Sequence, residues 1–361
     1  MLLEKLLFIL FGILCFGIMV AIHEFGHFFT AKLLGVKVNE FAVGMGPAVW
    51  RKERGETLYA LRVLPIGGYC AMEGEDEATG DPRAFSVQVW WKKLVILCAG
   101  SAMNFLLGLA VVLCLYAGTS SVAVPVIGGF MDGFAWEGEG GLMVGDRFLE
   151  IDSHDIFTYQ DASLYLGRND GTDGIDLVVE RNGETITLND FPMSRRDYVM
   201  EDGETQRLFG LTIAAREEPL SGMGRLKYAL LDTLNFVRMV WMSLGDLVTG
   251  HVGVSDMSGV IGIVDTIGEV GTTSGGVGNG LLNVLYLVAF ISVNLAVMNL
   301  LPIPALDGGR IFFVLINALV YLVCRRRIPA KYEGYVHGAG MVLLLGLMAV
   351  VAFSDIWRIV K

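Results

Sequence analysis

No cysteine lies between residues 119 and 280, and the five present (Cys15, Cys70, Cys98, Cys114 and Cys324) are scattered through apolar or cytoplasmic-type stretches without metal-ligand spacing. A disulfide framework and a thiolate metal site are therefore excluded, and the thiols read as packing residues. Charge is also scarce, at 18% of 361 residues against 53% hydrophobic. Soluble domains of this size seldom show that balance, and it points to a membrane protein. What charge there is segregates: residues 119–280 hold 25 Asp and Glu against 10 Lys and Arg, a net −15 that exceeds the −11 of the whole chain. An acidic surface of this kind argues against nucleic acid as a partner and against docking on anionic lipid. Internal repeats are absent. So is a small-residue cleavage pattern after the first apolar run, which argues against a signal peptide there.

Four runs are long and apolar enough for spans of roughly twenty residues: 6–29, 94–117, 281–301 and 335–353. A fifth, 311–323, is shorter, ends at Arg325, Arg326 and Arg327, and is expected to be a buried or interfacial helix. Lys32, Lys37, Arg51, Lys52, Arg54 and Arg62 follow the first span, and the arginine run with Lys331 precedes the last. Both loops should be cytoplasmic, which places the two termini and the long middle segment outside. The expected fold is a polytopic α-helical membrane protein of four transmembrane helices, with a membrane-associated β-hairpin loop and one extracytoplasmic PDZ-like α+β domain. Its expected segments are helix 1 (1–31), the β loop (32–92), helix 2 (93–118), the external domain (119–215), an amphipathic helix with a Gly-rich linker (216–280), helix 3 (281–302), an LDGG segment with a cytoplasmic-side helix (303–331), and helix 4 with the tail (332–361).

Within 38–72, short apolar runs broken by Gly, Pro and a charged turn at 53–56 predict two or three strands. They can dip into the membrane face if their backbone groups are paired, or form an ordinary cytoplasmic hairpin. From 122 to 215 the pattern becomes short strands with Gly and Asp turns, the size of one small domain. GGLMVGDRFLEID resembles the Gly-Leu, Gly-Asp segment of PDZ domains, and RNGETITL their closing hairpin. Gly140, Gly141 and Leu142 are then candidates for binding a peptide C-terminus through backbone N–H groups. Residues 225–249 predict an amphipathic helix on the outer membrane surface or against the β domain.

The chemistry concentrates in AIHEFGHFF at 21–29. Positions i and i+4 share a helical face, so His23 and His27 can direct both imidazoles at one ion. Glu24, about a hundred degrees round the helix, can reach a water on that ion without being a ligand. Zinc acidifies such a water toward ~7, and the carboxylate takes its proton for attack on a peptide carbonyl. Ionisable groups at the end of an apolar span are costly, which favours function over a decorative helix surface. A catalytic zinc needs a third protein ligand. Asp307 is the candidate, after Pro302 and Pro304 break the third span; the alternative is an aspartate capping the next helix. His154, His251 and His337 fall outside or in the last span and are expected in surface or packing roles.

HEFGH, GSAMNF at 100–105 and NLLPIPALDGG at 299–309, with FAVGMGP and LPIGGY after the first span, resemble the site-2 protease family of intramembrane metalloproteases, closest to its bacterial PDZ-containing members. The resemblance covers nearly the whole chain. It implies Zn2+, cleavage of a substrate helix within or beside the membrane, and a bacterial cytoplasmic membrane location with the active site toward the cytoplasm. Implied partners are single-span proteins, namely anti-sigma factors first cut outside by a site-1-type protease, or remnant signal peptides. By motif, Asn104 and Asn299 match family asparagines and become candidates for binding a substrate carbonyl or the oxyanion, or for an interhelical hydrogen bond. Ser101 and Val260 stand where the family often has proline. The competing classes are a membrane metal transporter or sensor, and an inactive PDZ-bearing scaffold; neither needs Glu24 in its frame.

Overall fold

The computed structural model describes residues 2–75, 79–169, 174–199, 205–250, 253, 258–326, 328 and 330–360. His251 and Arg327 lie outside the described residues. The chain divides into two compact units, 1–115 with 236–361, and 116–235.

Five helices of the first unit have the length and apolarity to cross a membrane: α1 (Leu2–Leu33), α2 (Trp90–Ala117), α6 (Val277–Leu300), α7 (Asp307–Cys324) and α8 (Ala330–Val360). Four correspond to the expected spans. The fifth, α7, begins earlier than the apolar run suggested, because Asp307, Gly308 and Gly309 are already helical. It is not buried in protein either: Phe312, Leu315, Leu319 and Leu322 are exposed, as they would be against lipid.

Glycines set how closely these helices approach, as small residues do where lipid supplies no hydrophobic drive for association. A Cβ on Gly26 of α1 would lie 2.4 Å from the Ala99 carbonyl oxygen of α2, and one on Gly108 of α2 would lie 2.6 Å from Val293 of α6. The Gly-rich stretch 271–280, expected as a flexible lead into the third span, is instead the last residues of α5 (Val260–Thr273), a turn through Gly275 and Gly276, both at positive φ, and the first residues of α6. Phe8 of α1 fills the notch between Gly271 and Gly280, and Lys5 pairs with Asp265 at 2.7 Å. Phe8, Cys15, Met19, Ile267, Val284 and Val288 form the core of this contact.

Between α1 and α2 run β1 (Val38–Arg54) and β2 (Thr57–Met72). Two or three strands were expected, yet the ribbon folds on itself. Glu40 to Val43 faces Leu58 to Leu61 on one side and Gly68 to Ala71 on the other, giving four strand segments in one layer. The bends fall at Gly44, Gly46 and Gly67, whose φ of +87°, +85° and +86° lies where glycine alone carries no Cβ penalty. The layer packs on the end of α1 and the start of α2 through Val36, Val38, Cys70, Met72, Phe85, Ile96 and Leu97.

The second unit is a small α+β domain. Its main sheet has the order β10 (Leu211–Pro219), β3 (Ser121–Phe130), β4 (Arg147–Ile151), β6 (Ile175–Arg181) and β7 (Glu184–Phe191), with β5 (His154–Asp155) on β4 and a separate β8–β9 pair, Arg196–Val199 with Thr205–Leu208. The β6–β7 turn is Asn182-Gly183, both at positive φ, the pairing a tight hairpin requires. One helix, α3 (Tyr159–Arg168), starts in a capping box of Thr158 and Asp161. A long helix, α4 (Gly222–Thr249), runs over the residues expected to be amphipathic, with Met223, Leu226, Leu230, Leu234 and Trp241 exposed.

Candidate metal centre

His23 and His27 lie one turn apart on α1 and are both buried, and Asp307 opens α7. The three come together. His23 Nε2 and His27 Nε2 are 3.2 Å apart, and Asp307 Oδ2 is 3.2 Å from each. His27 Nδ1 is 2.9 Å from the Ile96 carbonyl oxygen of α2, a contact that requires the proton on Nδ1 and leaves a lone pair on Nε2. Asp307 Oδ2 is buried and accepts no hydrogen bond. Lone pairs therefore converge on one point, an arrangement that repels itself unless a cation fills it. Zinc fits: tetrahedral bonds of ~2.0–2.1 Å set neighbouring donors about 3.3 Å apart. Among the described residues this is the one cluster of three or more His, Cys, Asp or Glu able to hold a metal ion.

The LDGG motif accounts for the third donor. Residues 301–306 turn through bonds from Ile303 N to the Leu301 oxygen and from Leu306 N to the Ile303 oxygen. A Cβ on Gly308 would lie 2.1 Å from the Leu301 oxygen, and one on Gly309 would lie 2.4 Å from the Ile303 oxygen, so only glycine lets the turn fold against the helix start. Asp307 is the first helical residue and Leu306 the N-cap, without a side-chain cap bond. The capping alternative for Asp307 thus has no support in the geometry.

Glu24, half-buried on α1, lies within electrostatic reach of both histidines and Asp307. Gly68 of β2 sits on it, its ideal Cβ position 3.2 Å from Glu24 Cγ. A side chain at position 68 would crowd the carboxylate.

Asn104 of α2 is buried and faces the metal centre: its amide nitrogen is 3.4 Å from His23 Nδ1, and its Oδ1 is buried without a partner. Amide nitrogen and oxygen are interchangeable by rotation. Turned over, Oδ1 accepts from His23 Nδ1–H, which fixes the tautomer that directs Nε2 inward and satisfies the orphaned oxygen. Asn299 is half-buried in the last turn of α6, before the break. In the second unit, Gly141 N donates to the Gly138 oxygen and Leu142 N to the Trp136 oxygen. Two of the three candidate donors for a peptide terminus are thus already engaged; Gly140 is exposed. His154 is exposed and bonded to the Asp152 carbonyl.

Three contributors were given no part in the site from sequence, and one of them, His337, was expected in a surface or packing role. Gly100 lets α2 come against the imidazoles, since a Cβ there would lie 2.3 Å from His27 Nε2. Arg310 pairs with Glu75 and ties the start of α7 to the turn that follows β2. His337 accepts a hydrogen bond from Ala305 N at 2.9 Å. Gly100 carried a signal, since it opens the GSAMNF motif.

Comparison with known proteins agrees with this geometry. The model of peptidase family M50 matches residues 11–347. A protein of Clostridium acetobutylicum, provisionally named a zinc metalloprotease, is 34% identical over 96% of this chain and 97% of its own length. One of Clostridium perfringens with the same designation is 35% identical over 97% and 98%. The regulator of sigma-W protease RasP of Bacillus subtilis is 27% identical over 96% and 97%. The chain therefore belongs to peptidase family M50, the site-2 proteases, and is a membrane zinc metalloprotease.

Proposed function

We propose that His23, His27 and Asp307 hold the zinc, that Glu24 is the general base, and that the substrate is a transmembrane segment of a single-span protein, cut within or beside the membrane. The observation that carries this is the convergence of two imidazole nitrogens and an orphaned carboxylate oxygen, 3.2 Å apart, on helices apolar enough to span. Zinc held there supplies Lewis acidity, acidifying the attacking water and polarising the scissile carbonyl. Glu24 takes that water's proton and delivers it to the departing amide nitrogen, the two proton transfers that peptide hydrolysis needs. Asn104 orients His23 instead of binding the oxyanion, and the Ile96 carbonyl does the same for His27.

A helical peptide bond is shielded, so the substrate must be unwound before Glu24 can act. Gly68 to Met72 pairs with Val38 to Val43 on one side, and among the described residues no strand pairs with its other edge. Gly68 of this strand lies against Glu24, so a substrate added to the free edge as a strand is held extended near the base.

The relative named for regulating sigma-W supports anti-sigma factors as the substrate class, after a first external cut by another protease; remnant signal peptides are a further class. Lys and Arg after α1 and before α8 favour a cytoplasmic-side centre with the acidic α+β unit outside. The PDZ-like reading of that unit rests on its Gly-Leu, Gly-Asp segment and its closing hairpin. Coexpression with a panel of single-span proteins tests the proposal: wild type should cut one or more inside the membrane, and Glu24→Gln none. Equal cleavage by both would refute it.

A further inference from the structure

Asp307 belongs to a different part of the chain from the two histidines, and the segment before it is short and irregular. Its placement therefore depends on what fixes residues 302–306. Ala305 sits there at φ +73°, in the left-handed region that L-residues other than glycine seldom adopt. Its N–H donates to His337 Nδ1 of α8 at 2.9 Å, so the imidazole carries its proton on Nε2. Three residues further along the same face of α8, Gly340 lies against Pro304, and a Cβ there would come within 2.3 Å of Pro304 Cβ and 3.1 Å of its carbonyl carbon and oxygen. The His337 ring also packs on Phe313 of α7 with centroids 5.6 Å apart. One face of α8 thus touches the chain on both sides of Asp307.

We propose that His337 is a positioning residue for the metal centre. Its Nδ1 clamps the Ala305 N–H and holds the left-handed turn that presents Asp307 to His23 and His27, while Gly340 gives the clearance that lets α8 approach. The proposal rests on Asp307 being the third metal ligand. Leucine at 337 removes the acceptor, leaves a backbone N–H unpaired in apolar surroundings, and lets Ala305 relax to negative φ, which displaces the carboxylate two residues on. Asparagine keeps an acceptor, Oδ1, near the place of Nδ1. Glycine at 305 removes the Cβ conflict that drives the relaxation.

The test is zinc retention by the purified full chain against a graded chelator, with helical content followed in parallel. His337→Leu should weaken retention about 10–100-fold, the usual effect of losing a residue that supports a ligand, with helical content unchanged. His337→Asn should stay near wild type, and His337→Leu with Ala305→Gly should recover most of the loss. Gly340→Ala, which keeps His337 but pushes Pro304, should weaken retention too, and it carries the test if His337→Leu does not fold. Wild-type retention by both His337→Leu and Gly340→Ala would overturn the clamp. So would a loss that neither asparagine at 337 nor glycine at 305 relieves, since that is the mark of general packing. Asp307→Ala separates the two readings: if it keeps zinc as wild type does, the ligand assignment fails, whereas loss there with retention in His337→Leu and Gly340→Ala removes only the clamp.

Discussion

At the site, the difference between His23 and His27 lies in what holds each ring from behind. Ile96 offers a backbone carbonyl that substitution cannot remove, whereas His23 depends on one side chain, Asn104. Replacing Asn104 with leucine should therefore weaken zinc retention about 10–100-fold, with Asn104→Asp, which keeps an acceptor, closer to wild type. Chelator competition on purified protein checks both, and undiminished retention in Asn104→Leu would show the amide to be idle. The pair His23 and His27 was legible because their spacing is a property of any helix, and Glu24 came with it. Asp307 was legible only by asking which other carboxylate lay at the right depth. For Asn104 the sequence left two readings, a donor to substrate and an interhelical hydrogen bond, because a motif records that an amide is present and not which neighbour it faces; the contact with His23 is of the second kind. His337 was not legible, because its partner is a backbone group 32 positions away.

Among the elements, apolar length identified α1, α2, α6 and α8, but it undercounted α7, whose first turn is Asp-Gly-Gly-Arg. Composition cannot reveal that those glycines are helical; the packing of Gly308 and Gly309 on the preceding turn does. If the arginines after α7 stay cytoplasmic, a cysteine at Arg325 should be labelled from the same side as one at Glu53, and labelling from opposite sides would mean that α7 crosses the membrane completely. The β layer was foreseen as strands, though its doubling back depends on positive φ at Gly44, Gly46 and Gly67, which alternation of side chains does not encode. Its ends are pinned by Lys37, paired with Glu73 at 2.9 Å, with Asn39 on the same carboxylate. Lys37, with Thr79 and Asn39, holds the Glu73 carboxyl at about 2, below its ordinary 4.5. A depressed carboxyl stabilises the fold above its unfolded value and stops doing so as pH falls through the folded one. The layer should thus hold down to about pH 4.5 and loosen between there and about 2, and Glu73→Gln should reduce that dependence, the remainder coming from Glu56 in the β1–β2 turn, whose carboxyl Lys32 and Arg83 also hold below its ordinary value. Fluorescence of Trp50, on β1, is a suitable readout; an unchanged pH profile in Glu73→Gln would contradict it.

On the scale of the molecule, charge and chemistry are kept apart. The α+β unit carries much of the acidic excess and, among the described residues, no cluster able to hold a metal ion, while the residues of the candidate metal centre all belong to the other unit. With the Gly141 and Leu142 donors engaged within their own loop, we propose that the unit acts by bulk and charge and not by capture of a new C-terminus. Replacing residues 121–219 with a flexible linker should then raise cleavage of an untrimmed substrate and preserve cleavage of a trimmed one. Loss of both, with zinc retained, would make the unit a required docking site.

Glu24 is proposed to perform hydrolysis at a zinc held by His23, His27 and Asp307, on a peptide bond at membrane depth. The most direct measurement is the mass of products from a single-span substrate reconstituted in lipid with purified wild type or Glu24→Gln, each assayed for bound zinc. Wild-type products should end within or next to the apolar segment, and Glu24→Gln should give no products although it holds as much zinc. Products from Glu24→Gln at the wild-type rate, or wild-type cuts only in soluble regions of the substrate, would contradict it.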